Sequence, residues 1–272
     1  MNEMLVAVFD TEDDAIKGMR TIEKLHQEGG ISLYASALIV KDRDGRISVK
    51  QHSAEALLGT ALGLLMGGIV GILGGPAGSA VGASLGGYLG LLADWASHGV
   101  DLKFLDDVSK TLTTGKAAVL AEIEESWTSM IELRLKEHNG IVFRRFRTDF
   151  IEDQLLQQSA ALQKALEDLQ DELDKANAAN QESLQSTILG LKHQLKTVQD
   201  QTKATIDLKK EEMDLKVKVL LRQLETATHE AKTRIKKRIA DVQAEFDAHS
   251  KKLNRTLAEA ELERHSHSHG AA

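Results

Sequence analysis

Residues 59–90, GTALGLLMGGIVGILGGPAGSAVGASLGGYLG, divide this chain into its parts. No charged side chain occurs from Ala56 to Ala93, although 28% of the 272 residues are charged. Gly59, Gly63, Gly67, Gly71 and Gly75 recur every four residues; beyond Pro76, the only proline, Gly78, Gly82, Gly86 and Gly90 do the same. Four-residue spacing aligns each set on one helix face. Each glycine costs a soluble helix roughly 1 kcal/mol relative to alanine, so the pattern needs an offset. Close backbone approach supplies one, because small-xxx-small faces let helices touch.

The run is therefore expected to be an α-helical hairpin turning at Gly74-Gly75-Pro76-Ala77-Gly78. Ser79, Ala83 and Gly87 form a second small row beside the first, which suits packing against a second subunit. Its arms, roughly 27 and 24 Å long, approach the 30 Å of a hydrocarbon core. Two settings remain open for it: contact with a bilayer, which the uncharged hairpin and double glycine register favour, and the apolar centre of a soluble assembly.

On the N-terminal side, Leu5-Val6-Ala7-Val8-Phe9 reads as a strand. A helix follows from Thr11, with Asp13 and Asp14 in its first turn and Gly29-Gly30 as its stop. Leu33–Val40 is a strand, and Asp42-Arg43-Asp44-Gly45 is a hairpin turn into Ile47–Gln51. On the C-terminal side, Leu102–Leu112 reads as helix, Lys116–Ile123 as strand, Trp127–Glu137 as helix and Ile141–Arg147 as strand. Two β-α-β units thus flank the run. The expected fold is α+β and ferredoxin-like over 1–149, with the first hairpin adding a strand and residues 54–98 inserted as the glycine-zipper αα-hairpin.

Residues 150–264 obey different rules. Leu155, Leu162, Leu169 and Ala176 repeat every seven residues, with Ser159, Leu166 and Leu173 between them. That is the seam of a long α-helical coiled coil. Its register slips at Leu184, again toward Met213, Leu220 and Ala227, and again toward Ile235 and Val242. Bends are expected at Asn177-Ala178-Ala179-Asn180 or within 197–205. Residues 151–182 hold eight acids and two bases, and residues 203–238 eleven bases and six acids. Such segregation favours an antiparallel hairpin or staggered subunits. The basic stretch Lys216–Arg238 is expected to form coil surface, with anionic lipid or phosphate as the other option. Residues 265–272 form a flexible tail.

A net charge of −7 gives no long-range attraction for nucleic acid, so no nucleic-acid partner is expected. The absence of cysteine excludes disulfides and thiolate metal sites and fits the cytoplasm. The N-terminus has neither a basic n-region nor a long apolar core, so no signal peptide is read there.

No P-loop, GxGxxG or HExxH motif occurs. TTGKAA at 113–118 lacks the upstream glycine and leads into a strand. Asp42 and Asp44 lack the remaining ligands of a calcium loop. His26, His52, His98 and His138 share no helical spacing. His265, His267 and His269 alternate in the tail and suit at most weak, adventitious metal binding. No catalytic residues and no cofactor are assigned, and no enzyme activity is expected.

LVAVFD, LIVKDRDGRISVKQ, GGIVGILGGPAGSAVGASLGG and TLTTGKAAVLAEIEE, taken in order, resemble a bacterial family known only as domain of unknown function number twelve-sixty-nine and labelled a predicted membrane protein. The resemblance spans roughly residues 4–148 and implies the same domain layout and a membrane link, with no activity to carry over. The long C-terminal helix departs from the family pattern.

These features lead to an expected non-enzymatic, self-assembling, membrane-associated scaffold. It would oligomerise through the α+β domain and the zipper hairpins, and bundle or recruit protein partners through the coil. Its expected place is the cytoplasm, peripheral to or inserted in the inner membrane. The alternatives are a soluble homo-oligomeric ring or shell with the hairpins at its apolar centre, and a surfactant-like coat of lipid or polymer granules.

Overall fold

A computed structural model describes residues 2–53, 102–125, 129–146 and 150–266. The glycine run, with every zipper position and Pro76, lies outside them. The described residues form an α+β structure with a five-stranded antiparallel sheet and a long C-terminal helical region.

The chain begins with β1 (Asn2–Phe9), α1 (Glu12–Gln27), β2 (Ile31–Lys41) and β3 (Ile47–Ser53). After the run come α2 (Leu102–Thr111), β4 (Ala117–Glu125), α3 (Ser129–Lys136) and β5 (Ile141–Phe146). Local chemistry sets these boundaries. The Thr11 hydroxyl accepts the Asp14 amide at 3.1 Å and so caps α1. Gly29 ends that helix at φ +73°, in the left-handed region that favours glycine. In the β2–β3 turn, Asp42 Oδ1 accepts the amides of Asp44 at 2.9 Å and Arg46 at 2.8 Å, which accounts for the aspartates as turn formers.

The strand order is β3-β2-β4-β1-β5, with every neighbour antiparallel. β4 separates β1 from β2, and β1 separates β4 from β5. The two β-α-β units are therefore interleaved rather than side by side. One face of the sheet packs Leu5, Phe9 and Ile123 against Met19 and Ile22 of α1 and Ile131 and Leu135 of α3.

Three helices follow: α4 (Phe150–Lys175), α5 (Ala178–Thr226) and α6 (His229–Ser266). The break at Ala176–Asn177 adjoins the first expected bend. The second expected bend, 197–205, is helical; its threonines satisfy their hydroxyls on the carbonyls four residues earlier, as Thr202 does on Val198 at 2.7 Å, and so leave the backbone ladder intact. The chain breaks instead at Ala227–Thr228.

Two compact units emerge. Residues 211–243 belong with the sheet, and 149–210 with 244–272 form the other unit. The heptad pattern places 211–243 in the coil, but Leu220, Ala227, Ala231, Ile235 and Val242 are buried against the sheet's second face, with Val6, Val8, Tyr34, Ile39 and Leu120. An open sheet face of that kind must be covered, and these residues cover it. In the second unit, Leu162, Leu166, Leu169 and Leu173 of α4 pack with Ile188, Leu191 and Leu195 of α5. Among the described residues no helix is long and apolar enough to cross a membrane.

Candidate functional site: a polar seam beneath the C-terminal helices

Between the sheet's second face and residues 211–243 runs a line of buried polar and charged side chains. It begins with an irregularity in β2. Leu33 pairs with Ile123 and Ala35 with Glu122, leaving Tyr34 as the extra residue of a bulge. A bulge re-aims side chains, and here Tyr34 and Ala35 both join the core beneath the C-terminal helices.

Gln223 of α5 anchors one end. Its Nε2 donates to the carbonyls of His26 at 2.5 Å and Ile31 at 2.6 Å, and its Oε1 accepts the Ser32 hydroxyl at 2.9 Å. Both amide hydrogens and the carbonyl are thus used, as burial requires. Arg238 of α6 donates to Ser32 Oγ at 2.8 Å and reaches the Gly30 carbonyl at 3.4 Å. Both helices therefore read the same turn, the one joining α1 to β2. Gly29 makes that approach feasible: a Cβ there would lie 2.6 Å from the Ala231 Cβ.

The other end is charged. Lys216 Nζ, with its side chain 3% exposed, lies 3.0 Å from Glu122 Oε1, contacts Glu212, and sits 5.3 Å from the centre of the Tyr34 ring. The Tyr34 hydroxyl donates to Glu124 at 2.5 Å. Burial, and then the Glu124 charge, hold the Tyr34 hydroxyl well above its usual range. Burial lowers His26, and nearby Arg238 adds to the effect. Its Nδ1 accepts the Leu33 amide at 3.1 Å, which needs the neutral ring.

Two further clusters are structural in character. Arg144 of β5 donates to Glu3 at 2.8 Å, to Glu132 at 3.1 Å and to Glu125. Burial raises Glu125, against the opposing pull of Arg144. In the second unit, Glu152, 1% exposed, has His249 Nδ1 at 2.5 Å, Lys252 Nζ at 3.3 Å and Lys209 Nζ at 3.8 Å.

The seam holds its charges closed within the protein, so its chemistry is that of a docking surface. It dictates which helix lies on the sheet and in what register, because Gln223, Arg238 and Lys216 each meet acceptors fixed on the sheet or on the turn before β2. Sequence reading missed it: Lys216 and Arg238 look like coil surface, yet both are buried in the seam. The signal available was the repeated slip of the heptad between Met213 and Val242.

The sites read from sequence stand apart from this seam. Gly59, Gly63, Gly67, Gly71, Gly75, Gly78, Gly82, Gly86, Gly90, Ser79, Ala83, Gly87 and Pro76 lie outside the described residues, as do His267 and His269. The backbone of His265 is within α6. Among the described residues no group of His, Asp and Glu is placed to hold a metal.

No curated protein and no solved structure matches the chain. The family signal starts inside the uncharged run and continues into α4, leaving out both the first hairpin and the seam's helices: residues 56–167 match the family described as protein of unknown function (DUF1269).

Proposed function

We propose that the chain is a non-enzymatic, self-assembling, membrane-associated scaffold. The body is read as ferredoxin-like, with β3 as an added edge strand; the order β3-β2-β4-β1-β5 supports this. The uncharged run is read as a glycine-zipper hairpin that clusters with copies of itself in or against a bilayer. The helical region beyond residue 243, together with 149–210, is read as the part that bundles or recruits protein partners.

One observation carries the reading. β3 ends at Ser53 and α2 begins at Leu102, and both belong to the unit that holds the sheet. A hairpin whose two ends return to one folded body can enter an apolar phase and leave on the same side. Among the described residues, the sheet's two faces are covered by α1 with α3 and by 211–243.

The test is the partitioning and mass of the full-length chain after an alkaline wash of membranes. Retention in the pellet, with detergent needed to release a discrete oligomer, is the expected result. A discrete detergent-free oligomer in the supernatant would replace this reading with a soluble assembly that encloses the run. Changing Gly67, Gly71, Gly82 and Gly86 to Leu should break the oligomer; an unchanged mass would sink the zipper.

A further inference from the structure

We infer that the chain pairs with a second copy by exchanging its C-terminal helices at Ala176–Asn177, so that residues 211–243 of each copy dock on the other's sheet. The inference rests on the self-assembly proposed above and supplies it with a mechanism.

The hinge is short and compatible with both forms. Only Ala176 and Asn177 separate α4 from α5, and Lys175-Ala176-Asn177-Ala178-Ala179 holds neither glycine nor proline. The turn uses no left-handed residue, since Asn139 is the only non-glycine with positive φ among the described residues. Helix-like bonds continue on both sides, from the Ala176 amide to the Leu173 carbonyl at 3.2 Å and from the Asn180 amide to the Asn177 carbonyl at 3.0 Å. Nothing in this sequence forbids straightening into one helix, so the same two residues serve a bent and a continuous form.

The chemistry of the seam names the occupant. If the sheet's second face were opened, Glu122 would lose Lys216, and Ser32 and the carbonyls of Gly30 and Ile31 would lose Arg238 and Gln223. Unpaired buried groups of this kind are costly, so an opened face must be covered again by donors in the same order. Residues 211–243 carry that order, and a second copy brings them. The leucine seam of α4 and α5 can re-form between copies by the same exchange, because each copy offers both halves.

The absence of cysteine makes the test direct. Glu28 and Glu230 are exposed and flank the close approach of Gly29 to Ala231. Full-length Glu28→Cys and Glu230→Cys chains would be co-expressed and treated with a short bis-maleimide. Exchange predicts a covalent dimer in the mixture and none from either chain alone. If the mixture gives no dimer while a chain carrying both cysteines links internally, exchange is overturned. The mass of the untreated wild-type chain separates the two ideas: an oligomer without cross-links rejects exchange alone, and a monomer rejects self-assembly with it. A second readout uses charge reversal. Glu122→Lys and Lys216→Glu chains, each destabilised alone, should regain wild-type thermal stability when refolded together, since exchange restores an opposite-charge pair on both sheets. No recovery would count against it.

Discussion

Lys216 and Glu122 face each other at 3.0 Å, with both side chains almost wholly buried, where α5 brings a residue from far along the chain onto the central strand β4. Neither charge could sit there alone. Removing an ion from water costs several kcal/mol, and the pair is tolerable only because its partners are fixed.

Lys216→Met should therefore destabilise the chain by about 3–5 kcal/mol, leaving Glu122 and Glu212 without their ammonium. Adding Glu122→Gln to that variant should recover part of the loss. Urea unfolding of the two single variants and the double variant checks this. Strict additivity would mean that the two side chains do not depend on each other.

Phe9 sets a second test, on the opposite face of the sheet. Its ring fills the space left by two glycines: a Cβ on Gly18 would lie 2.3 Å from the ring, and one on Gly140 would lie 2.7 Å away. Gly18→Ala should gain the usual helix-propensity term yet lose more to overpacking, for a net cost of about 1–3 kcal/mol. Phe9→Leu in the same chain should relieve the clash. A Gly18→Ala variant more stable than wild type would show that the ring has room to move.

The strands and turns were legible because their causes are local. Asp42-Arg43-Asp44-Gly45 folds by its own side-chain bonds, and Gly29 stops α1 by its own backbone freedom. The break beside Asn177 was legible for the same reason. The docking of 211–243 was not, since Leu220, Ala227, Ala231 and Ile235 present a helical apolar stripe that serves a sheet as well as a coil. The seam was hidden more deeply. Glu122, Lys216, Gln223 and Arg238 are ordinary surface residue types, and only the Tyr34 bulge and distant pairing bring them together.

Acid should loosen the docked helices through His26. Its folded value is lowered by burial, so the unfolded chain binds a proton first, from about pH 6.5 downward. The stability contributed by the neutral ring is present above that pH and is lost as pH falls through the lowered folded value. His26→Gln, which keeps an acceptor for the Leu33 amide, should flatten this part of the stability profile. Parallel denaturation series at pH 7, 6 and 5 would decide, and identical slopes would remove His26 from the account.

Alkali should act at the other end of the seam. Tyr34 is held neutral in the folded chain by burial and by the Glu124 carboxylate, while in the unfolded chain it ionises near pH 10. Above that pH the unfolded state releases a proton that the folded state keeps, so stability falls as pH rises. Tyr34→Phe removes the titration together with the hydroxyl bond to Glu124. It should be less stable than wild type at neutral pH, by about 1.5–3 kcal/mol for a hydrogen bond to a charged group, and should lose less between pH 9 and 11. Ultraviolet titration of phenolate absorbance in the folded chain gives an independent measure. A tyrosine that ionises at its ordinary value without unfolding would show that water reaches the seam and that the C-terminal helices do not seal the sheet.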